Sequence, residues 1–185
     1  MPYKITPRIA AELIAHEAIV REAYLDSVDV WTWSVGITSA SGHTVWPRYL
    51  DNPQTLRRCF EVYEWAIRTN YLPAVETAFA GHALTEAQLG AALSFHYNTG
   101  AIDRAVWVRR WKAGDVAGAR RAIMYWRRPP EIRPRRRKER ALFFDGVWSG
   151  TGTGTEYQVR KPSYRPDWSS AATVQIGDVL QDLFG

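Results

Sequence analysis

Residues 17–36 carry the sequence EAIVREAYLDSVDVWTWSVG, and a change of period within it decides the fold. A helix start at Thr6-Pro7 precedes it, with a hydroxyl N-cap followed by proline. The apolar stripe of that helix reaches Glu17 at four-residue spacing, so we expect Glu17 to end the helix on its buried side. From residue 24 to about residue 45 the apolar residues alternate instead, which indicates a small antiparallel sheet.

The remainder of the chain is mainly helical by pattern. We expect Asn52-Pro53 to open a long second helix. Residues 85–88 form a capping box ahead of a nearly all-apolar helix, which we predict to be the central buried one. Further helical patterns lie around residues 106–111, 116–125 and 137–144. The order of a helix, a small sheet and then many helices predicts an α+β protein.

The end of the chain differs in composition from the rest. The run Gly150 to Thr155 alternates glycine and threonine, which is typical of a flexible linker. The residues after it are rich in aromatic and aliphatic side chains, unlike a disordered tail. We therefore divide the chain into a domain at 1–149, a linker at 150–155 and a tail at 156–185. We expect the tail to dock on the domain, against its helical part.

Composition excludes several classes of protein. The 185 residues are 46% hydrophobic and 23% charged, which is inconsistent with wholesale disorder. A single cysteine, Cys59, cannot form an internal disulfide. No stretch approaches the ~18 apolar residues of a membrane span. The net charge of +5 favours a polyanionic partner without identifying it.

Glu17, Asp26 and Thr32 are the residues that could carry chemistry. Glu17 is expected in a poorly solvated place, where a carboxyl group retains a proton to donate. Asp26 lies in a predicted turn within reach of water, and Thr32 lies on a predicted strand. An acid, a carboxylate and a hydroxyl together suit hydrolysis of a glycosidic bond by a positioned water. The spacing alone also fits a helix-end carboxylate, a turn aspartate and an exposed strand threonine without catalytic roles.

The spacing Glu-x8-Asp-x5-Thr resembles the catalytic signature of the T4-type phage lysozymes, glycoside hydrolase family 24. Other segments agree with that family in chain order over about residues 6–149. They are Tyr24-Leu-Asp26 with Trp31-Thr32 and Gly36, Phe95 to Gly100, Lys112 to Asp115, Trp126, Arg135-Arg136 with Glu139-Arg140, and Asp145 to Trp148.

The resemblance implies a two-lobed lysozyme-like fold, in which a small antiparallel sheet lobe is joined by a long helix to a helical lobe. It also implies a muramidase that cleaves the β-1,4 bond between N-acetylmuramic acid and N-acetylglucosamine with inversion. Glu17 would be the general acid, and Asp26 and Thr32 would position the attacking water. The substrate-binding residues carried over from the family are Gly36, Tyr97, Asn98, Gly100, Trp126, Arg135 and Arg136. Either Arg135 or Arg136 matches the arginine that pairs with the catalytic glutamate.

Two departures from the family pattern stand out. The family has Gly-x-Gly-His after the threonine, whereas residues 34–37 here are Ser-Val-Gly-Ile. The missing histidine is mainly structural in the family, so we expect altered support of the hairpin with the chemistry intact. Ala105 stands where the family has a serine that contacts substrate, which puts one sugar contact in doubt.

Other functions have weaker support. The basic run from Trp126 to Arg140 suits phosphate binding, yet it has no interleaved aromatic residues and no nucleic-acid fold signature. We therefore expect a solvated basic rim and no nucleic-acid partner. His43, His82 and His96 are too scattered for metal ligation, so no metal site and no cofactor is expected. A wall-binding module that has lost turnover remains the alternative.

The expected biology is that of a phage endolysin whose partner is bacterial peptidoglycan. We expect a monomer with no integral membrane segment. Met1 to Pro7 contain no apolar signal-peptide core. The protein would therefore stay in the bacterial host cytoplasm until a holin or another export route releases it to act in the periplasm or cell wall.

Overall fold

The computed structural model describes residues 3–185, which form two compact units. The sheet unit consists of residues 6–68 and 150–185, and the helical unit of residues 3–5 and 69–149. Both helices and strands are present, which confirms the α+β prediction. The predicted tail is therefore not a separate body, because it belongs to the same compact unit as the first third of the chain.

A five-stranded sheet organises the sheet unit, with the order β3-β2-β1-β4-β5. Strand β2 pairs antiparallel with both β1 and β3. Strand β4 pairs parallel with β1 and antiparallel with β5. The parallel pairing places β4, from near the end of the chain, beside β1, and β5 follows at the edge of the sheet. The strands are β1 (Ala18–Leu25), β2 (Trp31–Ser34), β3 (Ile37–Thr38), β4 (Thr153–Arg160) and β5 (Arg165–Gln175).

Gly150 and Gly154 of the predicted linker are packing residues, so the expectation of a flexible linker at 150–155 is wrong. Gly150 N donates to the buried Glu12 carboxylate at 2.6 Å. A Cβ at Gly150 would lie 3.0 Å from the backbone nitrogen of Glu12. At Gly154, which lies in β4, a Cβ would lie 2.5 Å from Cδ1 of Ile19. Close approach to other segments explains these glycines better than flexibility does.

The tail ends in a helix that docks within the sheet unit. The sequence had predicted docking against the helical lobe. This helix, α8 (Gly177–Phe184), packs against α1 (Pro7–Ile14) and α2 (Leu56–Ala66). Its apolar face buries Leu180 and Phe184, each 1% exposed, and Ile176 just before it is fully buried. Arg68 lies 5.9 Å from the centre of the Phe184 ring. The tail thus docks, as predicted, but the predicted docking place, the helical lobe, is wrong.

The first two helices begin and end differently from the predictions. Thr6 caps α1 as expected, but α1 ends at Ile14, before Glu17. The second helix begins at Leu56, where Thr55 provides the N-cap, and not at Asn52-Pro53. It ends at Ala66 and is followed by a π-helical turn (Ile67–Tyr71) and α3 (Leu72–Ala78). Pro73 lacks an N–H and fits only the start of a helix, which accounts for the interruption.

The helical unit is built around one buried helix, α4 (Glu86–Thr99). Thr85 and Gln88 form the predicted capping box, and every residue from Leu89 to His96 is buried. Both predictions for this helix are confirmed. The other helices of the unit are α5 (Val106–Lys112), α6 (Val116–Ala122) and α7 (Arg133–Asp145), and α7 packs along α4.

Ser34 takes the backbone conformation that a glycine would adopt most easily. Its φ is +60°, in the left-handed region, and the residue is fully buried. Its hydroxyl donates a hydrogen bond of 2.9 Å to the Cys59 carbonyl in α2. Gly36 follows with φ +77° in the turn between β2 and β3. Ser34 thus adopts, in this turn, a left-handed backbone that is easiest for glycine.

We predict that Phe184→Ala destabilises the protein by about 3 kcal/mol, because it leaves a cavity between α8 and its neighbours. For a chain of this length that lowers Tm by roughly 6–12 °C. Thermal unfolding followed by circular dichroism measures the change. Asp182→Ala is the matched control on the same helix, since that side chain is 64% exposed and its removal should leave Tm nearly unchanged. Equal Tm values for the two variants would show that α8 does not dock.

We also predict that Ser34→Gly is more stable than Ser34→Ala by about 1 kcal/mol. Both variants lose the hydrogen bond to Cys59, but only glycine relieves the left-handed backbone at residue 34. Urea unfolding of the two variants beside the parent chain separates the two effects. An alanine variant as stable as the glycine variant would contradict the assignment of strain.

Candidate active site

Glu17 lies between α1 and β1. His16 N and Glu17 N donate to the carbonyls of Leu13 and Ile14 at 3.1 and 3.0 Å, which closes the last turn of the helix. Glu17 is half-buried, and β1 begins at the next residue. The prediction that Glu17 belongs to the helical apolar stripe is therefore wrong. The buried carboxylate of α1 is Glu12, which sequence reasoning missed and which holds the Gly150 backbone.

Asp26 occupies the predicted turn, at the tip of the β1–β2 hairpin. Its Oδ1 accepts hydrogen bonds of 2.9 Å from the backbone N–H groups of Val28 and Val30. Asp26 N in turn donates to the Val30 carbonyl at 3.1 Å. These bonds fix the orientation of the carboxylate, and the side chain remains partly accessible to water.

A residue of the tail holds the same turn from the outside. The Arg165 guanidinium donates to the Asp26 carbonyl and forms an ion pair with Asp29. Next to it, Leu25 N donates to the Tyr164 carbonyl at 2.7 Å. Nothing in the sequence near Arg165 indicated this contact, because the two segments are far apart along the chain. The position of Asp26 therefore depends on the last strand as well as on its own hairpin.

Thr32 lies on β2 directly opposite Tyr24 of β1. The non-catalytic interpretation of the spacing required an exposed threonine, but the residue is only 3% exposed. Its Oγ1 donates to the Val30 carbonyl at 3.0 Å. Because that bond uses the hydroxyl proton, the lone pairs of Oγ1 are left to accept a hydrogen bond from a water.

Tyr24 connects the three predicted catalytic residues. Burial raises the pKa of the Tyr24 phenol well above its ordinary value, and the negative charges of Glu17 and Asp26 raise it further. Both carboxyl groups therefore act on one phenol. Opposite residues of an antiparallel pair also have adjacent side chains, which places Thr32 beside Tyr24. The charges of Glu17 and Asp26 thus both reach Tyr24, and Thr32 is its partner across the hairpin. Tyr24 belongs to the hairpin motif but had not been assigned to the site.

The predicted substrate-binding residues fall in both units. Gly36 is exposed in the β2–β3 turn of the sheet unit. In the helical unit, the ring of Tyr97 lies 4.6 Å from that of Tyr71, and Gly100 caps α4 with φ +60°. Asn98, Trp126 and Arg136 line one cavity of about 260 Å³.

Arg135 and Arg136 do not form part of a solvated rim, contrary to the prediction for the basic run. Both are buried and share the carboxylate of Glu139, which is also buried. Ser94 donates to Glu139 at 2.7 Å, and Arg136 Nη2 donates to Asn98 at 2.8 Å. Two buried cations around one carboxylate need such additional partners to be stable. Other arginines of the run, such as 127, 128, 133 and 137, are exposed.

Cys59 and Ala105 are core residues. Burial raises the pKa of the Cys59 thiol to about 12, so this group is not a reactive thiolate at neutral pH. Ala105 is fully buried ahead of α5. Across residues 3–185, no group of three or more His, Cys, Asp or Glu side chains could hold a metal ion. None of the helices described for this chain has the length and apolar character needed to cross a membrane.

Comparisons with known proteins agree with this architecture. The model of the phage lysozyme family matches residues 14–139. The endolysin of Escherichia coli O157:H7 phage FAHEc1 is 23% identical with a TM-score of 0.67, and the match covers 80% of this chain and 96% of that one. A P22 lysozyme variant is 24% identical with a TM-score of 0.63, covering 76% and 98%. The active form of P1 phage endolysin Lyz is 19% identical with a TM-score of 0.61, covering 79% and 88%. No curated protein sequence matches the chain. The structural likenesses show the fold, and the family match, which spans more than half of the chain, shows that the protein belongs to the phage lysozyme family.

Proposed function

We propose that the protein is an endolysin that hydrolyses the β-1,4 bond between N-acetylmuramic acid and N-acetylglucosamine in peptidoglycan. The observation that carries the proposal is that a member of the phage lysozyme family places Asp26, fixed by two backbone donors, and Thr32 on the hairpin that directly follows Glu17. Two carboxyl groups in different surroundings, with a hydroxyl beside them, suit acid-assisted attack by water on a glycosidic bond.

In the proposed mechanism Glu17 protonates the oxygen of the leaving sugar. Asp26, whose Oδ1 is fixed by two backbone donors, accepts a proton from the attacking water. Thr32 Oγ1 accepts the second hydrogen bond of that water, since its own proton is donated to Val30. The water attacks the anomeric carbon from the face opposite the leaving oxygen, which inverts the configuration. No metal or cofactor takes part in these steps.

The alternative, a wall-binding module without turnover, rests on the departures at residues 34–37. Ser34 nevertheless keeps the left-handed backbone that the family's glycine would allow, and Gly36 is retained. The backbone that carries Thr32 is therefore kept, which favours an active enzyme. Substrate contacts by Gly36, Tyr97, Asn98, Gly100, Trp126, Arg135 and Arg136 are part of the proposal. The monomeric state and release from the host cytoplasm by a holin or another route stay predictions.

We predict that Glu17→Gln lowers the rate of peptidoglycan cleavage by ~10²–10⁴-fold while Tm stays within a few degrees of the parent value, because the amide has no proton to donate. Loss of turbidity of purified peptidoglycan measures the rate. Glu22→Gln is the matched control, since that carboxylate lies on β1 but binds Lys161 at 2.9 Å. Full activity of the Glu17 variant would rule out the mechanism, and an inactive parent chain would favour the wall-binding module.

We predict that the first product released has the α configuration. Inverting enzymes place their two carboxyl groups roughly 6.5–9.5 Å apart, which leaves room for the water. Proton NMR during the first minutes of cleavage distinguishes the anomers before mutarotation. A β product, or a covalent sugar adduct on Asp26, would instead indicate a retaining enzyme.

A further inference from the structure

The tail hairpin, formed by β4 and β5, supplies side chains to a pocket beside Asp26. The pocket has a volume of about 390 Å³ and lies entirely within the sheet unit. One wall comes from Tyr24, Leu25, Asp26 and Ser27 of the β1–β2 hairpin, and the other from Arg165, Pro166 and Trp168 of β5. The family match ends at residue 139, so the second wall lies outside the residues that define the family.

Trp168 is the unusual member of this pocket. It is 66% exposed, so most of this large aromatic side chain is open to solvent beside the pocket. Its indole is held by an edge contact with Tyr157, with ring centres 4.9 Å apart. A largely exposed aromatic ring, supported on one side by Tyr157, thus borders the pocket.

The backbone around Trp168 is held on both sides. Asp167 Oδ1 accepts from Ser169 N at 3.1 Å and from Ser169 Oγ at 2.6 Å. Ser170 Oγ donates to the Asp167 carbonyl at 2.7 Å and accepts from Gln158 N at 2.8 Å. This network ties the strand that carries Trp168 to β4, and such preorganisation reduces the entropy lost on binding.

The chemistry of the pocket favours a sugar ring over a peptide or a phosphate. Arg165 is the one cation among the described residues that line it, and it already binds the Asp26 carbonyl and Asp29, so it is not available to a ligand carboxylate or phosphate. The rest of the lining is apolar or aromatic, apart from polar groups at Asp26 and Ser27; the apolar members are Tyr24, Leu25, Pro166 and Trp168. An apolar surface with a few hydrogen-bonding groups suits the two faces of a pyranose ring.

We infer that the tail hairpin adds a saccharide subsite, in which Trp168 stacks on a ring of the peptidoglycan glycan strand next to the bond being cleaved. The inference rests on the proposed function, because Asp26 is both the proposed water-positioning carboxylate and a wall of the pocket. A ring on Trp168 would therefore belong to the same strand as the ring at the catalytic residues. The subsite lengthens the stretch of glycan that the enzyme holds.

The test measures binding of purified glycan strands, freed of stem peptides, to the Glu17→Gln chain by isothermal titration calorimetry. In this background we expect Trp168→Ala to raise Kd about 3- to 10-fold and Trp168→Phe to raise it less. Trp46→Ala is the matched control, since Trp46 is 50% exposed in the same unit but does not line the pocket. In the otherwise unchanged enzyme, Trp168→Ala should raise KM by a similar factor with kcat within about twofold.

The outcomes separate the subsite from the proposed function. Unchanged Kd and KM for Trp168→Ala, in an enzyme that cleaves peptidoglycan, would overturn the subsite and leave the function standing. A loss of affinity seen only with strands that keep their stem peptides would also overturn it, because the pocket would then bind peptide. Full cleavage by Glu17→Gln would instead overturn the proposed mechanism, whatever the glycan titration shows. Melting curves that match the parent chain establish that each variant is folded.

Discussion

The parallel pairing of β4 with the start of β1 is the constraint on which the sheet unit depends. Ala18 pairs with Thr155 and Ile19 with Glu156, directly after Glu17. These partners come from near opposite ends of the chain, so the pairing closes a very long loop at a substantial cost in entropy. The cost is offset by what the closure buries, because α8 follows β5 and packs its apolar face on α1 and α2. The first and last segments therefore stabilise each other.

The shape of β1 explains how two residues at its opposite ends act on one phenol. In an unbent strand, nine steps of ~3.3 Å would separate Glu17 from Asp26 by roughly 30 Å. The pairing of β1 with β2 instead shifts register between Val20 and Tyr24, and such a bulge bends a strand and increases its twist. A bend there brings Glu17 closer to Tyr24, whose pKa is raised by burial and by the charges of Glu17 and Asp26. The irregularity of β1 is thus part of the candidate active site.

Features set by neighbouring residues could be predicted from the sequence, and features set by distant ones could not. The Thr85 capping box, the buried helix after it and the turn at Asp26 all have local signals, and the structure contains each of them. The run from Gly150 to Thr155 has the composition of a linker, yet Gly150 and Gly154 are required by close approach to Glu12 and Ile19. Composition does not reveal contacts between segments that are distant in the sequence. For the same reason, the contact of Arg165 with Asp26 and the place of Trp168 beside it could not be predicted. Both depend on a hairpin more than a hundred residues away in the sequence.

Tyr24 and Asp26 of the proposed site are also packing partners of the tail hairpin. Tyr24 packs in a small cluster with Val20 and Val159, against which Tyr157 and Tyr164 also rest. The phenol that both carboxyl groups influence is therefore held in place by the tail hairpin, and Asp26 is held by Arg165 of that hairpin. Loosening the tail would change the orientation of the proposed catalytic groups before the rest of the sheet unit unfolds, because local openings cost less than global unfolding. Positions in β4 and β5 thus help to hold Tyr24 and Asp26, and through them the geometry of the proposed site.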